Sequence, residues 1–383
     1  MTQSTITDLF SSFDKNKNTK NGLPPEAYLN NEFFEMESKH LFANSWTFVG
    51  FVHDIANTGD IKPFQLAGQP LILVRSSKNK IRAFHNICSH RNLKLVNQTQ
   101  NCKNFITCPY HKWSYNLDGK LKVAPFFGGR KTELPHDFKL EDHALEEVSC
   151  KLFKDWIFVN INNNSKSFES YTKPLKKQLA GFDLDDFIAV ANIEFSEIKT
   201  NWKFLMENFI EPYHVQFVHK TTTSQPLADH FVINDRHCLG SGIDLTPKQR
   251  NKARKGSLAV SSRYLTLFPN FVLGLYFPDQ IGVHLNNPVS PGITSQKRVI
   301  YIHKDSDHST KMIREIRNLW ENVHKEDHQI CELLQIGRKS QVAKQGGLLS
   351  PHWEISVRKF QELVVNSIRP ALNKNSFQRK YND

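Results

Sequence analysis

The spacing of hydrophobic positions changes twice along the chain. Residues 1–44 form a polar lead-in followed by a predicted helix over Glu32–Ala43. From Ser45 the pattern turns to short β-branched and aromatic runs, Trp46–Phe51, Pro70–Arg75 and Lys80–His85, separated by Gly, Asn, Lys and Ser turns. Ser77–Lys80 predicts one hairpin turn and Asn116–Gly119 another. Trp156–Ile161 reads as a closing strand and Asn162–Ser167 as a linker. Beyond it, strands at Ile193–Ile198, Val272–Phe277 and Arg298–His303 alternate with helices near Trp202–Ile210 and over Lys311–Gly337 and Ile355–Ile368, with Gly337 and Gly346-Gly347 at helix ends or turns. The pattern predicts an α+β protein in three segments: a helical 1–44 that packs with the last segment, an all-β 45–162, and a mixed 163–383.

In the helix over Lys311–Gly337, Ile316, Leu319, Val323, Ile330 and Leu334 form one apolar stripe. Asp327 falls on it, whereas Glu326 and His328 are expected to point elsewhere. A carboxylate on a buried stripe costs several kcal/mol unless a cation or a proton meets it.

Composition narrows the classes. At 383 residues, 39% hydrophobic and with 28 Phe, the chain can bury two cores. No run approaches the ~20 apolar residues of a membrane span. The N-terminus lacks the basic and apolar regions of a secretory signal, so a cytoplasmic protein is expected. The net charge of +12 does not predict nucleic-acid binding, because Lys and Arg are spread along the whole chain with no recognisable binding module. A basic face that docks an acidic electron-transfer partner is the alternative reading. Of the six cysteines, Cys102, Cys150, Cys238 and Cys331 are expected to be reduced, buried small hydrophobes.

The other two carry the chemistry. Cys88-Ser-His90 and Cys108-Pro-Tyr-His111 are separated by 17 residues, and each supplies one thiolate and one imidazole. Two Cys on one iron and two His on the other make a Rieske [2Fe–2S] cluster, in which neutral imidazoles reduce the negative charge and raise the potential. A structural zinc site uses the same ligand count, but usually pairs its Cys first and its His later. A second constellation follows. Glu207, Glu211 and His214 fall at i, i+4 and i+7, on one face of a helix. His219 lies five residues beyond His214, about 140° away on an ideal helix. Binding one ion through both therefore requires the helix to break, and Pro212 makes that break plausible. Two His and one carboxylate with open positions form the facial triad of Fe(II) oxygenases.

These segments resemble the Rieske non-haem iron oxygenases. The resemblance rests on Ala83-Phe-His-Asn86, Cys88-Ser-His90-Arg91 and Cys108-Pro-Tyr-His111-Lys-Trp113. It continues through Asn201-Trp-Lys, Glu207-Asn208, Glu211-Pro-Tyr-His214, His219, Leu267-Phe-Pro-Asn270 and Glu326-Asp327 with Cys331. It departs at Lys112, where the family usually has Gly and where a Cβ is harmless only at φ < 0, and at Leu93, where a small residue is common. The resemblance implies an all-β Rieske domain followed by a helix-grip-like catalytic domain, an antiparallel sheet with helices. It implies that Cys88, His90, Cys108 and His111 hold the cluster. His214, His219 and Asp327 would hold a mononuclear Fe(II) that uses O₂, and Glu211 would be a carboxylate bridging the two centres. It also implies a head-to-tail homotrimer fed by an NAD(P)H-dependent flavin or iron–sulfur reductase, with or without a ferredoxin. No flavin or nicotinamide fingerprint occurs in this chain, so that reductase is a separate protein.

Chain length, Glu211 and the Leu267-Phe-Pro-Asn270 segment resemble the branch acting on carnitine-like quaternary ammonium compounds, through hydroxylation or oxidative N-demethylation or cleavage. Phe268, Phe271, Tyr276, Phe277 and Trp353 are the candidate cation–π box. An aromatic-ring dioxygenase and a Rieske electron carrier without oxygen chemistry are the rival functions.

Overall fold

The computed structural model describes residues 13–14, 21–223, 225–244, 261–277, 279–343 and 346–379. They divide into two compact units, Phe42–Phe168 and Met1–Leu41 with Glu169–Asp383.

The first unit is all-β. Its strands are β1 (Thr47–Phe51), β2 (Asp60–Leu66), β3 (Gln69–Ser77), β4 (Lys80–His85), β5 (Gln100–Asn101), β6 (Phe105–Thr107), β7 (Ser114–Asn116), β8 (Leu121–Val123), β9 (Glu147–Phe153) and β10 (Trp156–Asn160). Seven form an antiparallel sheet in the order β1-β10-β9-β4-β3-β2-β5, and β6-β7-β8 form a small second sheet. β1 and β10 are buried along their whole length, which is why each reads as a continuous apolar run rather than an alternating one. The predicted Asn116–Gly119 turn owes its shape to two residues. Asn116 Oδ1 accepts from the amides of Asp118 (3.2 Å) and Lys120 (2.9 Å), while Gly119 takes φ +83°. The segment expected as a linker, Asn162–Ser167, is tied down: Asn160 Oδ1 accepts from Asn164 N (2.9 Å) and Ser165 N (3.2 Å).

The second unit is built on one antiparallel sheet, β11 (Phe187–Ile198), β12 (His230–Asp235), β13 (Cys238–Asp244), β14 (Ser261–Leu267), β15 (Phe271–Phe277), β16 (Gln280–Ser290) and β17 (Ile293–His303), in the order β11-β17-β16-β15-β14-β13-β12. Its described helices are α1 (Glu26–Leu29), α2 (Asn31–Met36, continued by a π-helical turn to Phe42), α3 (Phe168–Gln178), α4 (Trp202–Ile210), α5 (Val215–Val218), α6 (Thr310–Gly337) and α7 (Ile355–Arg379). Asn201 caps α4 through Lys203 N, and Ser309 caps α6 through Met312 N. Between sheet and α6 lies a core of Ile193, Tyr276, Ile300, Ile302, Ile316, Trp320 and Val323. The N-terminal segment joins this unit through buried polar pairs: Lys203 Nζ meets Glu37 Oε1 at 2.7 Å, and Tyr28 OH donates to Glu207 Oε1 at 2.7 Å.

The α6 stripe is rotated from its expected position. The residues it buries are Ile316, Trp320, Val323, His324, His328, Cys331 and Gln335, while Leu334 is 43% exposed. His328, expected to point away, is buried and its Nε2 lies 3.0 Å from Gln296 Oε1. All six cysteines are free; Cys238 and Cys331 are buried, and Cys102 and Cys150 are half-buried.

Candidate metal centres

In the all-β unit, the two Cys/His loops are one turn built twice. Cys88 N donates to Leu93 O (2.8 Å) and Asn92 N to Cys88 O (2.9 Å). Likewise Cys108 N donates to Trp113 O (2.8 Å) and Lys112 N to Cys108 O (3.1 Å). Asn92 and Lys112 hold equivalent places, at φ +56° and +59°. Lys112 therefore sits in the left-handed region, so the condition φ < 0 is not met and its Cβ carries strain. Leu93 is 39% exposed, so its size meets no wall.

The loops bring their two Cys and two His together. Cys88 and Cys108 are buried with their thiols facing each other, and the His90 and His111 rings lie 4.7 Å apart. His90 stacks on Trp113 at 4.8 Å, which fixes the imidazole plane, and the buried Nδ1 of His111 has no hydrogen-bond partner. Burial pushes the Cys88 thiol pKa up. Ser89 N donates to Tyr115 OH (3.1 Å) and Ser89 Oγ donates to His143 O (2.9 Å), which leaves the Tyr115 hydroxyl free to donate to Cys88 Sγ, 3.1 Å away. A hydrogen bond to a ligand sulfur is one of the levers on a cluster's potential.

In the second unit, α4 ends at Ile210. Glu211 is its extended C-cap (φ −105°, ψ 139°), so Glu207, Glu211 and His214 do not share a helical face. Glu207 instead binds Tyr28 and Gln361. The chain breaks at Pro212, and His214 and His219 flank the single turn of α5 as its N-cap and C-cap. There they converge with Asp327 of α6. The ligand atoms of His214, His219 and Asp327 all lie within 4.8 Å of one another. Asp327 Oδ1 is 3.1 Å from His219 Nε2 and 3.5 Å from His214 Nε2, but accepts no hydrogen bond in good geometry.

The outer nitrogens are held by two more carboxylates. His214 Nδ1 lies 2.6 Å from Glu211 Oε1, and His219 Nδ1 lies 2.7 Å from Glu326 Oε2, which also accepts from Thr222 Oγ1 at 2.8 Å. Glu211 Oε2 accepts from the amides of Tyr213 and His214. Glu326, expected to point elsewhere, thus supports the site. With a proton on each Nδ1, both Nε2 lone pairs face the same point as Asp327, the arrangement metal-binding histidines favour. Burial opposes an imidazolium at His214, but Glu211 and Asp327 outweigh it and push the pKa up to about 10. Burial likewise opposes the charge on Asp327, yet the two imidazoles hold its carboxyl well below the usual range. This is a basic, anionic donor set of the kind a divalent cation takes.

Residues 45–133 match the Rieske [2Fe-2S] domain, and residues 182–369 match the ring hydroxylating alpha subunit (catalytic domain). The chain belongs to the Rieske non-haem iron oxygenases. Over 394 aligned residues it is 25% identical to the glycine betaine monooxygenase oxygenase subunit of Chromohalobacter salexigens, covering 92% of this chain and 86% of that protein. It is 27% identical to the carnitine monooxygenase oxygenase subunit of Escherichia coli, over 83% of this chain and 84% of that one. In fold it is similar to the crystal structure of a quaternary ammonium Rieske monooxygenase, with a TM-score of 0.79 at 22% identity, over 93% of this chain and 98% of the other.

The two matched domains call for a Rieske cluster, a mononuclear iron and O₂. A carrier without oxygen chemistry leaves the second domain unexplained. Beside the triad this oxygenase has a small cavity of about 50 Å³ whose lining includes Phe209, Tyr264, Tyr276, His284, Arg298, Trp320 and His324. Of the five aromatic residues expected at the substrate, Tyr276 lines it. Phe268 packs against Phe360, Phe271 is buried in β15 outside the lining, and Trp353 packs against His352. The side chain of Phe277 lies outside the described residues. Strand alternation explains the difference between two of them: on β15, Tyr276 faces the cavity and Phe271 belongs to the opposite face.

Proposed function

We propose that this chain is the terminal oxygenase component of a Rieske system that oxidises a quaternary ammonium compound. The observation that carries the reading is the convergence of His214, His219 and Asp327 with both outer imidazole nitrogens held by Glu211 and Glu326. In it, Cys88, His90, Cys108 and His111 hold the cluster, and His214, His219 and Asp327 hold the iron. When bound, the two groups supply one-electron storage and O₂ activation. The protein's own part is to fix tautomers and exclude water. Glu211 and Glu326 keep the protons on the Nδ1 atoms, and Phe209 and Tyr264 give the cavity aromatic faces against which a methylated ammonium group packs. The kinship to subunits named for glycine betaine and carnitine along most of the chain supports that substrate class.

Electrons come from a separate NAD(P)H-dependent flavin or iron–sulfur reductase, directly or through a ferredoxin. The assembly is a cytoplasmic head-to-tail homotrimer, a heterologous contact that closes into a ring, in which Glu211 links the cluster of one chain to the iron of the next. Among the described residues no helix is long and apolar enough to cross a membrane. Iron and sulfide analysis with the visible spectrum tests the assignment. About three irons and two inorganic sulfides per chain, with a Rieske spectrum, are expected. His90→Ala and His111→Ala should each bleach that spectrum while the mononuclear iron stays, and a normal spectrum in both variants would refute the cluster ligands.

A further inference from the structure

Arg298 on β17 is 1% exposed, and it lines the cavity beside the triad without a counter-ion. Its Nε and Nη2 make no hydrogen bond in good geometry among the described residues, although the neutral Tyr276 hydroxyl is close by, and Nη1 is 3.4 Å from Nε2 of His324. Its planar group lies over Trp320, 3.7 Å from the ring centroid. The contrast with other buried cations is informative. Lys203 is neutralised by Glu37, and Arg75 donates to the carbonyls of Val52, Ile55 and Lys78. A guanidinium cannot shed its charge, and unpaired buried donors are costly.

The sheet makes room for this group. His284 and Arg298 are cross-strand partners on β16 and β17, and Gly274 and Gly282 face each other on β15 and β16. A Cβ at Gly282 would lie 2.3 Å from Arg298 Nη2, and one at Gly274 would lie 2.3 Å from the Tyr276 hydroxyl. The glycine pair thus admits two polar heads into the cavity wall. His284 adds a third polar atom, because its Nε2 is buried and unpartnered. Burial, reinforced by Arg298, holds the pKa values of both His284 and His324 well below normal, so they remain neutral beside it.

We infer that Arg298, with His284 and Tyr276, is an anion receptor, and that the substrate carries a carboxylate which this receptor holds. A carboxylate matches the two free N–H groups of the fork and converts them into charge-assisted bonds. The lining also includes the carboxylates of Asp327 and Glu211, so the cavity presents groups of both signs. The face of Trp320 is already covered by Arg298, which leaves Tyr264 and Phe209 for a cationic group. A small zwitterion with its carboxylate at Arg298 fits that charge layout. The zwitterion rests on the ammonium reading above; the anion receptor does not.

The test is calorimetric binding to the holoenzyme with two acid–neutral pairs, glycine betaine against choline and benzoate against benzyl alcohol. The acid should bind at least about tenfold more tightly in one pair. Arg298→Gln should erase that preference with spectrum and iron content unchanged, and Arg298→Lys, which keeps charge but loses the fork, should retain part of it. If Arg298→Gln does not load both metals, the Lys variant decides, and an undiminished preference there counts against Arg298. Equal binding of acids and neutral partners in the wild type would overturn the receptor. Benzoate preferred, with no turnover of any quaternary ammonium compound, would refute the ammonium reading and keep the receptor. Turnover of choline without an acid preference would do the reverse.

Discussion

Glu326 Oε2 lies 2.7 Å from Nδ1 of His219, one residue ahead of the carboxylate whose oxygen faces the same ring's Nε2. Adjacent acids on α6 therefore have different work: Asp327 faces the point where the two Nε2 atoms converge, and Glu326 holds the far side of the His219 imidazole. Asp327→Ala should lose the mononuclear iron outright. Glu326→Ala should weaken iron binding by about 10–100-fold, the usual cost of such a partner, and keep the cluster colour. Iron retention during dialysis against a graded chelator separates the two. Equal loss in both variants would show that Glu326 is itself a ligand.

Tyr115 OH is placed to donate to Cys88 Sγ at 3.1 Å. That bond favours the reduced, more negative cluster, so Tyr115→Phe should shift the reduction potential downward with little change in the spectrum. Spectroelectrochemical titration reads the shift. An unchanged or raised potential would mean that the hydroxyl turns to Ser89 Oγ, 2.9 Å away.

Glu207 gives a pH dependence remote from the metal ligands. Burial raises its carboxyl from an ordinary 4.5 to about 7, against the hydrogen bond from Tyr28. Between those values the folded protein keeps a proton that the unfolded chain releases. Stability contributed by this site therefore falls as pH rises from about 4.5 to about 7, by roughly 3 kcal/mol in full. Glu207→Gln should raise the melting temperature at pH 8 and leave it nearly unchanged at pH 4. A gain at pH 4 equal to that at pH 8 would contradict the assignment.

Lys112, at φ +59°, carries a side chain where glycine is unstrained. The left-handed conformation costs an L-residue about 1–2 kcal/mol, and glycine returns part of that through its unfolded-state entropy. Lys112→Gly should stabilise the oxidised protein by about 1 kcal/mol or less, seen as a modest rise in melting temperature. A fall would show that the lysine makes a compensating contact.

The two Cys/His loops and the His214, His219 and Asp327 cluster were legible as candidates because the chemistry of a thiolate or an imidazole at a short spacing depends little on the rest of the fold. Pro212 likewise announced a break, although the break precedes His214 instead of separating His214 from His219. What the pattern hid is the cavity. A stripe counted from apolar residues turns α6 toward Leu334, whereas the face it buries is lined by Trp320, His324, His328 and Gln335. The same holds for β13 and β16, whose buried Ser241, Gln280, His284 and Asn286 look like exposed positions in the sequence. Phe268 and Phe271 were expected at the substrate for their type, but strand alternation and packing put them in the core.

The most direct test of the oxygenase assignment is a single turnover. The chemically reduced holoenzyme, freed of reductant, is mixed with O₂ and glycine betaine, carnitine, choline or a simple aromatic acid, and product is quantified alongside cluster reoxidation. The account predicts oxidised product from a quaternary ammonium compound with the wild type, and none with Asp327→Ala despite an intact cluster spectrum. Complete reoxidation of the wild-type cluster without product from any of these compounds would contradict it.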